Sequence, residues 1–196
     1  MAQPALKAEK RFTYADYKHW PADERWELHD GRAVAMSPAP TVQHQVIAGN
    51  FHHWFKNFLK GKPCRVYISP IDVLLPTYEG QDAHEVDRVL QPDVIVVCDR
   101  EKIRKANIFG APDLAIEVLS PSTAKRDEGE KRDLYARAGV KELWLADPEN
   151  LTVKRYALVD GEYRKPDVFG PEDALPSSAL EGVTLPLGEI FEVDLV

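Results

Sequence analysis

The segment PDLAIEVLSPSTAKRDEGEKRDLY, residues 112–135, decides how the rest of the chain is read. Its first part is apolar almost without interruption: Leu114, Ile116, Val118 and Leu119 suit a strand covered on both faces. Its second part is charged and predicts a helix over 123–138, with Ser122 or Thr123 at the N-cap and Gly139 just past the end. A further apolar run follows in KELWLADP, 141–148. Strand, helix and strand in that order form a crossover unit, which joins parallel neighbours in a right-handed sense. Glu117 breaks the apolar run. A carboxylate there is costly unless something pairs with it or binds it.

The helix offers a partner. Leu134 and Ala138 mark its inward stripe, and stepping back along it gives Lys131 and then Asp127. A lysine on that stripe can reach along its own stem toward the strand carrying Glu117. The plainer reading is an Asp127–Lys131 pair along the helix, worth a few tenths of a kcal/mol. Lys125, Arg126 and Arg132 fall on other faces, suited to the surface or to phosphate contacts.

Working outward, PDVIVVCD (92–99) is a short apolar strand with Asp93 at its entrance. If it neighbours 112–119, Asp93 and Glu117 meet at one end of the sheet. Two carboxylates in one apolar site stay ionised together only if a cation joins them, and hard oxygen ligands suit Mg²⁺ or Mn²⁺. The alternative is an aspartate in water and a glutamate at a strand end. CRVYISPIDVLLP (64–76) reads as one strand bent at Pro70, while 77–91 and 100–110 read as polar connections.

TVQHQVIAGNFHHWFKNFLKG (41–61) predicts a helix: Ile47, Phe51, Trp54, Phe55 and Phe58 recur at helical spacing, and Gly61 ends it. His44 lies on its apolar face, as a core histidine or as a site residue. ERWELHDGRAVAM (24–36) reads as a hairpin turning at Asp30-Gly31, with Trp26 and Leu28 on one face and Glu27 on the other. Thr13 caps a short helix reaching Trp20, and residues 1–11 read as a loose tail. A second hairpin turns at Asp160-Gly161, and LEGVTLPLGEIFEVDLV (180–196) is apolar but weakly patterned. The expected fold is a mixed α/β (α+β) sandwich, a single domain over 12–196.

Composition narrows the function. The net charge of −7 argues against tight non-specific binding of nucleic acid, though not against a local basic patch. No apolar run reaches the roughly 18 residues of a membrane span, and the N-terminus lacks a secretory h-region. Cys64 and Cys98 stand apart, so they read as thiols of a reducing cytoplasm and not as a disulfide framework. Nucleotide-binding glycine loops and the serine-hydrolase elbow are absent from the sequence. His52 and His53 lie on opposite flanks of their helix, and with no paired cysteines a structural zinc site is not expected.

RWELHDGRAVAMSPAPTVQHQVI, QPDVIVVCD and GAPDLAIEVLSPSTAKRDEGEKRDLYARAGVKELWLADP together resemble the Uma-two family of nuclease-like proteins, within the restriction endonuclease-like PD-(D/E)XK superfamily. The likeness covers roughly 12–157, and the segment 112–148 is its most specific part. It implies a core of a helix, a three-stranded meander, a crossover helix and a further strand. It also implies that Asp93 and Glu117 bind Mg²⁺ or Mn²⁺, with the Val118 carbonyl. Leu119 stands where the general superfamily pattern has lysine, and Lys131 matches the position to which this family has moved it. Glu27 matches a metal-shell carboxylate, and His44 a substrate-binding or supporting group beside Asp127 and Lys125. The implied activity is metal-assisted hydrolysis of DNA phosphodiesters by a cytoplasmic endonuclease, as a homodimer. The alternatives are an inactive nuclease-fold binding or assembly module, or a hydrolase of another phosphate ester.

Overall fold

The computed structural model describes residues 10–21, 23–36 and 40–192. Residues 1–9 of the expected tail and the last four of the C-terminal segment lie outside them. Of the remaining tail, Arg11 pairs with Asp87 at 2.8 Å, and the Phe12 N–H donates to the Gly31 carbonyl.

The chain opens with α1 (Tyr14–Tyr17), shorter than the helix expected to Trp20, and the Thr13 N–H donates to the Asp16 carboxylate. β1 (Trp26–His29) and β2 (Arg32–Ala35) form the expected hairpin. Its two turn residues, Asp30 at φ 49° and Gly31 at φ 80°, are both left-handed, which matches the right-handed twist of the strands. α2 (Val42–Phe58) starts at Thr41, whose hydroxyl accepts from the His44 N–H.

β3 (Arg65–Ile68) and β4 (Val73–Leu74) then belong to different sheets. The single bent strand expected over 64–76 is thus two, separated at the cis Ser69-Pro70 bond, because proline gives no ladder N–H. The supposed polar connections also carry short strands, β5 (Val89–Leu90) and β7 (Ile108–Phe109), on either side of β6 (Val94–Val97). Two-residue strands leave too little alternation to be seen in sequence.

β8 (Leu114–Val118) and β9 (Glu142–Asp147) are parallel, with Glu117 opposite Leu145, as the crossover requires. β10 (Thr152–Val159), β11 (Glu162–Tyr163) and β12 (Asp167–Phe169) follow, then β13 (Ala174–Pro176) and β14 (Thr184–Pro186). The central sheet runs β11-β10-β9-β8-β6-β3, with β12 also on β10, and a second sheet runs β2-β1-β5-β4-β7. β6 is antiparallel to both β3 and β8.

Side-chain alternation splits the core into two layers. Val94, Val96, Ile116 and Trp144 pack with Ile47, Phe51 and Phe55 of α2. Ile95, Val97, Ala115 and Leu145 pack on the opposite side with Leu134 and Tyr135 of the crossover. Glu117 shares the alternation of Ala115, so it points toward the crossover and not toward α2.

The crossover is not one helix. α3 (Ala124–Arg126) passes into a π turn over Asp127–Lys131 and then α4 (Arg132–Ala138), which ends at left-handed Gly139. Such turns insert one extra residue, and they concentrate at functional sites. β9 also carries Glu142, fully withdrawn from water. Its carboxylate takes the Trp144 indole N–H and the backbone N–H groups of Ser178 and Ala179, tying the C-terminal segment to the sheet.

The reading of the two cysteines is corrected. Arg65 pairs with Val97 across β3 and β6, so the next step of the ladder sets Cys64 opposite Cys98, and the two form a disulfide. A chain separation of 34 residues hid a neighbourhood that only strand pairing creates. The inference from free thiols to a reducing compartment loses its premise. Among the described residues, no helix is long and apolar enough to cross a membrane.

Candidate active site

Glu117 and Asp93 come together through the β6–β8 ladder. Val94 faces Ile116, so the next step along the pair sets Asp93 against Glu117 at the end of the sheet. The Val118 N–H donates to Asp93 Oδ2 at 2.8 Å, and His44 Nε2 lies 3.2 Å from the same oxygen. His44 arrives from the first turn of α2, its position set by the capped helix end.

From the opposite side the π turn delivers Lys131. Its ammonium lies 2.8 Å from Glu117 Oε1 and 2.9 Å from Glu27 Oε1. The Tyr135 hydroxyl donates to Glu117 Oε1 as well. Glu27 comes from β1, on the face away from Leu28, as the hairpin pattern predicts. It also accepts the Gln91 N–H at 2.8 Å, and its Oε2 lies 3.1 Å from His29 Nε2. His29 in turn has Glu130 Oε1 3.2 Å from its Nδ1.

Burial sets the protonation of this group. It pushes the Glu117 carboxyl up to about 8, with Lys131 opposing and Asp93, Asp127 and Glu27 adding to the rise. For Glu27 burial also acts upward, but Lys131, His29 and the Gln91 N–H outweigh it and hold the carboxyl well below its usual range. Burial disfavours the Lys131 charge, yet Glu117, Glu27 and Asp127 overcome that and keep the ammonium protonated. His44 is raised likewise, because its bond to Asp93 and the charge of Asp93 outweigh burial. Burial raises Asp127, with Lys131 opposing.

Asp93, Glu117, Val118, Lys131, Glu27, His44 and Asp127 all line one open cleft of about 510 Å³. Lys125 is exposed and is not among its lining residues. The close partners of Lys131 are Glu117 and Glu27, with Asp127 contributing charge at longer range, so the plain helix pair is not how Lys131 is held.

Three members of the cluster escaped the sequence reading. Tyr135 stands four residues after Lys131, His29 two after Glu27 on the same strand face, and Gln91 two before Asp93. Each was within reach of the periodicity used for its neighbour.

The donor chemistry is that of hard oxygen. The polar contacts of Asp93 fall on Oδ2 and those of Glu117 on Oε1. Among the described residues, no three His, Cys, Asp or Glu side chains are grouped to hold a metal. A cation here would rest on two carboxylates and the Val118 carbonyl, with water or substrate oxygens completing its shell. Mg²⁺, which keeps several waters and few protein ligands, fits such a set.

The family model described as "Putative restriction endonuclease" matches residues 14–188. A relative from Synechocystis sp., "Uncharacterized protein slr1290", is 31% identical over 123 residues, 62% of this chain. The matched region spans 60% of the relative's length. In fold, the chain is similar to the crystal structure of a "putative nuclease belonging to DUF820" from Anabaena variabilis, with a TM-score of 0.72 at 20% identity, covering 92% of this chain and 98% of the other. That match shows a shared fold. The family match covers most of the sequence, and the chain belongs to the Uma2 family.

Proposed function

We propose that this protein is a Mg²⁺- or Mn²⁺-dependent endonuclease that hydrolyses DNA phosphodiesters at the Asp93–Glu117–Lys131 cluster. The observation that carries this reading is the Lys131 ammonium, buried between Glu117 and Glu27 in the cleft that also holds Asp93. A cation held in place between two acidic side chains meets negative charge without reorganising.

In this reading Asp93, Glu117 and the Val118 carbonyl hold the metal. When bound, the ion lowers the pKa of a coordinated water and neutralises phosphate charge. Lys131 is no general base, because its neighbours keep it protonated. It stabilises the charge that gathers on the phosphate oxygens as the attacking water oxygen bonds to phosphorus and the P–O bond breaks. Glu27 aims that ammonium, and His29 and the Gln91 N–H aim Glu27. Tyr135 fixes one oxygen of Glu117 and leaves the other for the ion. His44 orients Asp93, whose hydrogen bond and charge favour the protonated imidazole.

The test is cleavage of supercoiled plasmid and of single-stranded DNA with Mg²⁺ or Mn²⁺. Wild type is compared with Glu117→Ala and Lys131→Ala. Metal-dependent nicking lost in both variants is expected. No cleavage by wild type removes the nuclease reading, and equal cleavage by Glu117→Ala removes the site assignment.

A further inference from the structure

A second cavity of about 770 Å³ opens beside the cleft and shares Arg25, Pro70 and Gln91 with it. Its walls differ in chemistry from those of the cleft. Five aromatic side chains line it, Tyr14, Tyr17, Trp20, Trp26 and Tyr67, each partly open to water. Trp20 is central, with ring centroids 5.5 Å from Tyr17 and 5.8 Å from Trp26. Lys18, Arg25, Arg104 and Lys105 outnumber Glu24 and Asp72 along the wall, in a chain whose net charge is −7. Asp72 is capped by the Tyr17 hydroxyl at 2.8 Å and by Gln91 Nε2 at 3.0 Å.

Gln91 forms the partition between the two spaces. Its N–H holds Glu27 on the cleft side. Its side-chain oxygen accepts from Arg25 at 2.8 Å, and its amide donates to the Tyr17 hydroxyl at 2.9 Å. Arg25 and Pro70 border both spaces beside this partition, so the aromatic, basic chamber adjoins the cleft.

We propose that this cavity receives unpaired nucleotides of the strand whose phosphate lies in the cleft, with bases against Trp20 and Tyr17 and backbone phosphates at Lys18 and Lys105. Aromatic platforms interleaved with cations are how proteins hold single strands without reading their sequence, since every base has a π face. The inference deepens the nuclease reading and rests on it for the nature of the ligand. Deoxyribose and ribose strands share this chemistry, so the test uses both.

Labelled dT10 and U10 oligonucleotides are titrated with the full chain in EDTA, where no metal-dependent cutting competes, and followed by anisotropy and by tryptophan quenching. Wild type is expected to bind at least one of them with quenching. The exposed pair Lys18→Glu/Lys105→Glu is expected to weaken binding about tenfold or more. The equally exposed pair Lys56→Glu/Lys60→Glu on and just beyond the end of α2 is expected to stay within about twofold of wild type. Absence of binding to both probes overturns the proposal, as does an equal loss in the two double variants. Because binding is read without cleavage, a protein that binds but never cuts fails the nuclease reading alone. A protein that cuts but binds neither probe fails this inference alone.

Discussion

The Lys131 ammonium lies 2.8 Å from Glu117 Oε1, and it reaches there from a π turn while Glu117 stands on a strand. Both side chains are almost wholly withdrawn from water, so the Lys131 charge has no substitute partner in solvent. Lys131→Met should therefore leave the Glu27 charge without its cation, beside a Glu117 carboxyl already pushed up by burial. Loss of one partner of a buried pair costs about 3–5 kcal/mol. The double variant Lys131→Met/Glu117→Gln should recover part of that loss. Denaturant midpoints of the two proteins check this, and equal midpoints would show that Glu117 draws nothing from Lys131.

Glu27 gives a pH signature. Its folded-state value lies below its ordinary 4.5, so its contribution is complete above that pH and is lost as pH falls through the depressed value. At pH 7, Glu27→Gln should lower the urea midpoint by about 1–2 M, corresponding to roughly 3 kcal/mol. The gap between wild type and variant should narrow steadily below about pH 4.5. A gap of the same size at pH 3 and pH 7 would mean that the Glu27 charge is not what holds the cluster.

The π turn offers a test of backbone placement. Removing Gly129 deletes the extra residue, and the flanking helical turns rotate by about 100° relative to each other. Far-UV circular dichroism should show helix content kept or increased. DNA cleavage should fall by about 100-fold or more, because small misplacements of positioning groups cost that much. Unchanged cleavage would mean the turn is incidental to the site.

The disulfide makes a separate prediction. Purified protein should show no free thiol before reduction and two after it, by titration with a chromogenic disulfide. Cys64→Ser should lower stability by about 2–4 kcal/mol, because a closed loop no longer restrains the unfolded chain. Two reactive thiols in the unreduced protein would contradict the pairing.

Much of the site was legible because it follows local periods. The strand alternation that isolates Glu117 from Ile116 and Val118 sends it toward the crossover, and the helical spacing from Leu134 back to Lys131 sends the lysine toward it. Asp93 needed one further assumption, adjacency of two strands, which the β6–β8 ladder bears out. The family resemblance then supplied a reason for the missing lysine at Leu119. Tyr135 and His29 were equally periodic, but an aromatic ring on an apolar stripe and a histidine beside a turn look like ordinary packing until their partners are known.

What the sequence determined by itself was the longer elements, the hairpin turns and the faces on which Glu27, Glu117 and Lys131 sit, because dihedral preference and side-chain period act over only a few residues. What only the tertiary structure decided was which distant faces meet. It joined Glu27 to Lys131 across more than half the chain, opposed Cys64 to Cys98, split residues 64–76 between two sheets and set an aromatic chamber behind Gln91. Those outcomes depend on strand register and on the packing of sheets around two cores, which no local pattern encodes.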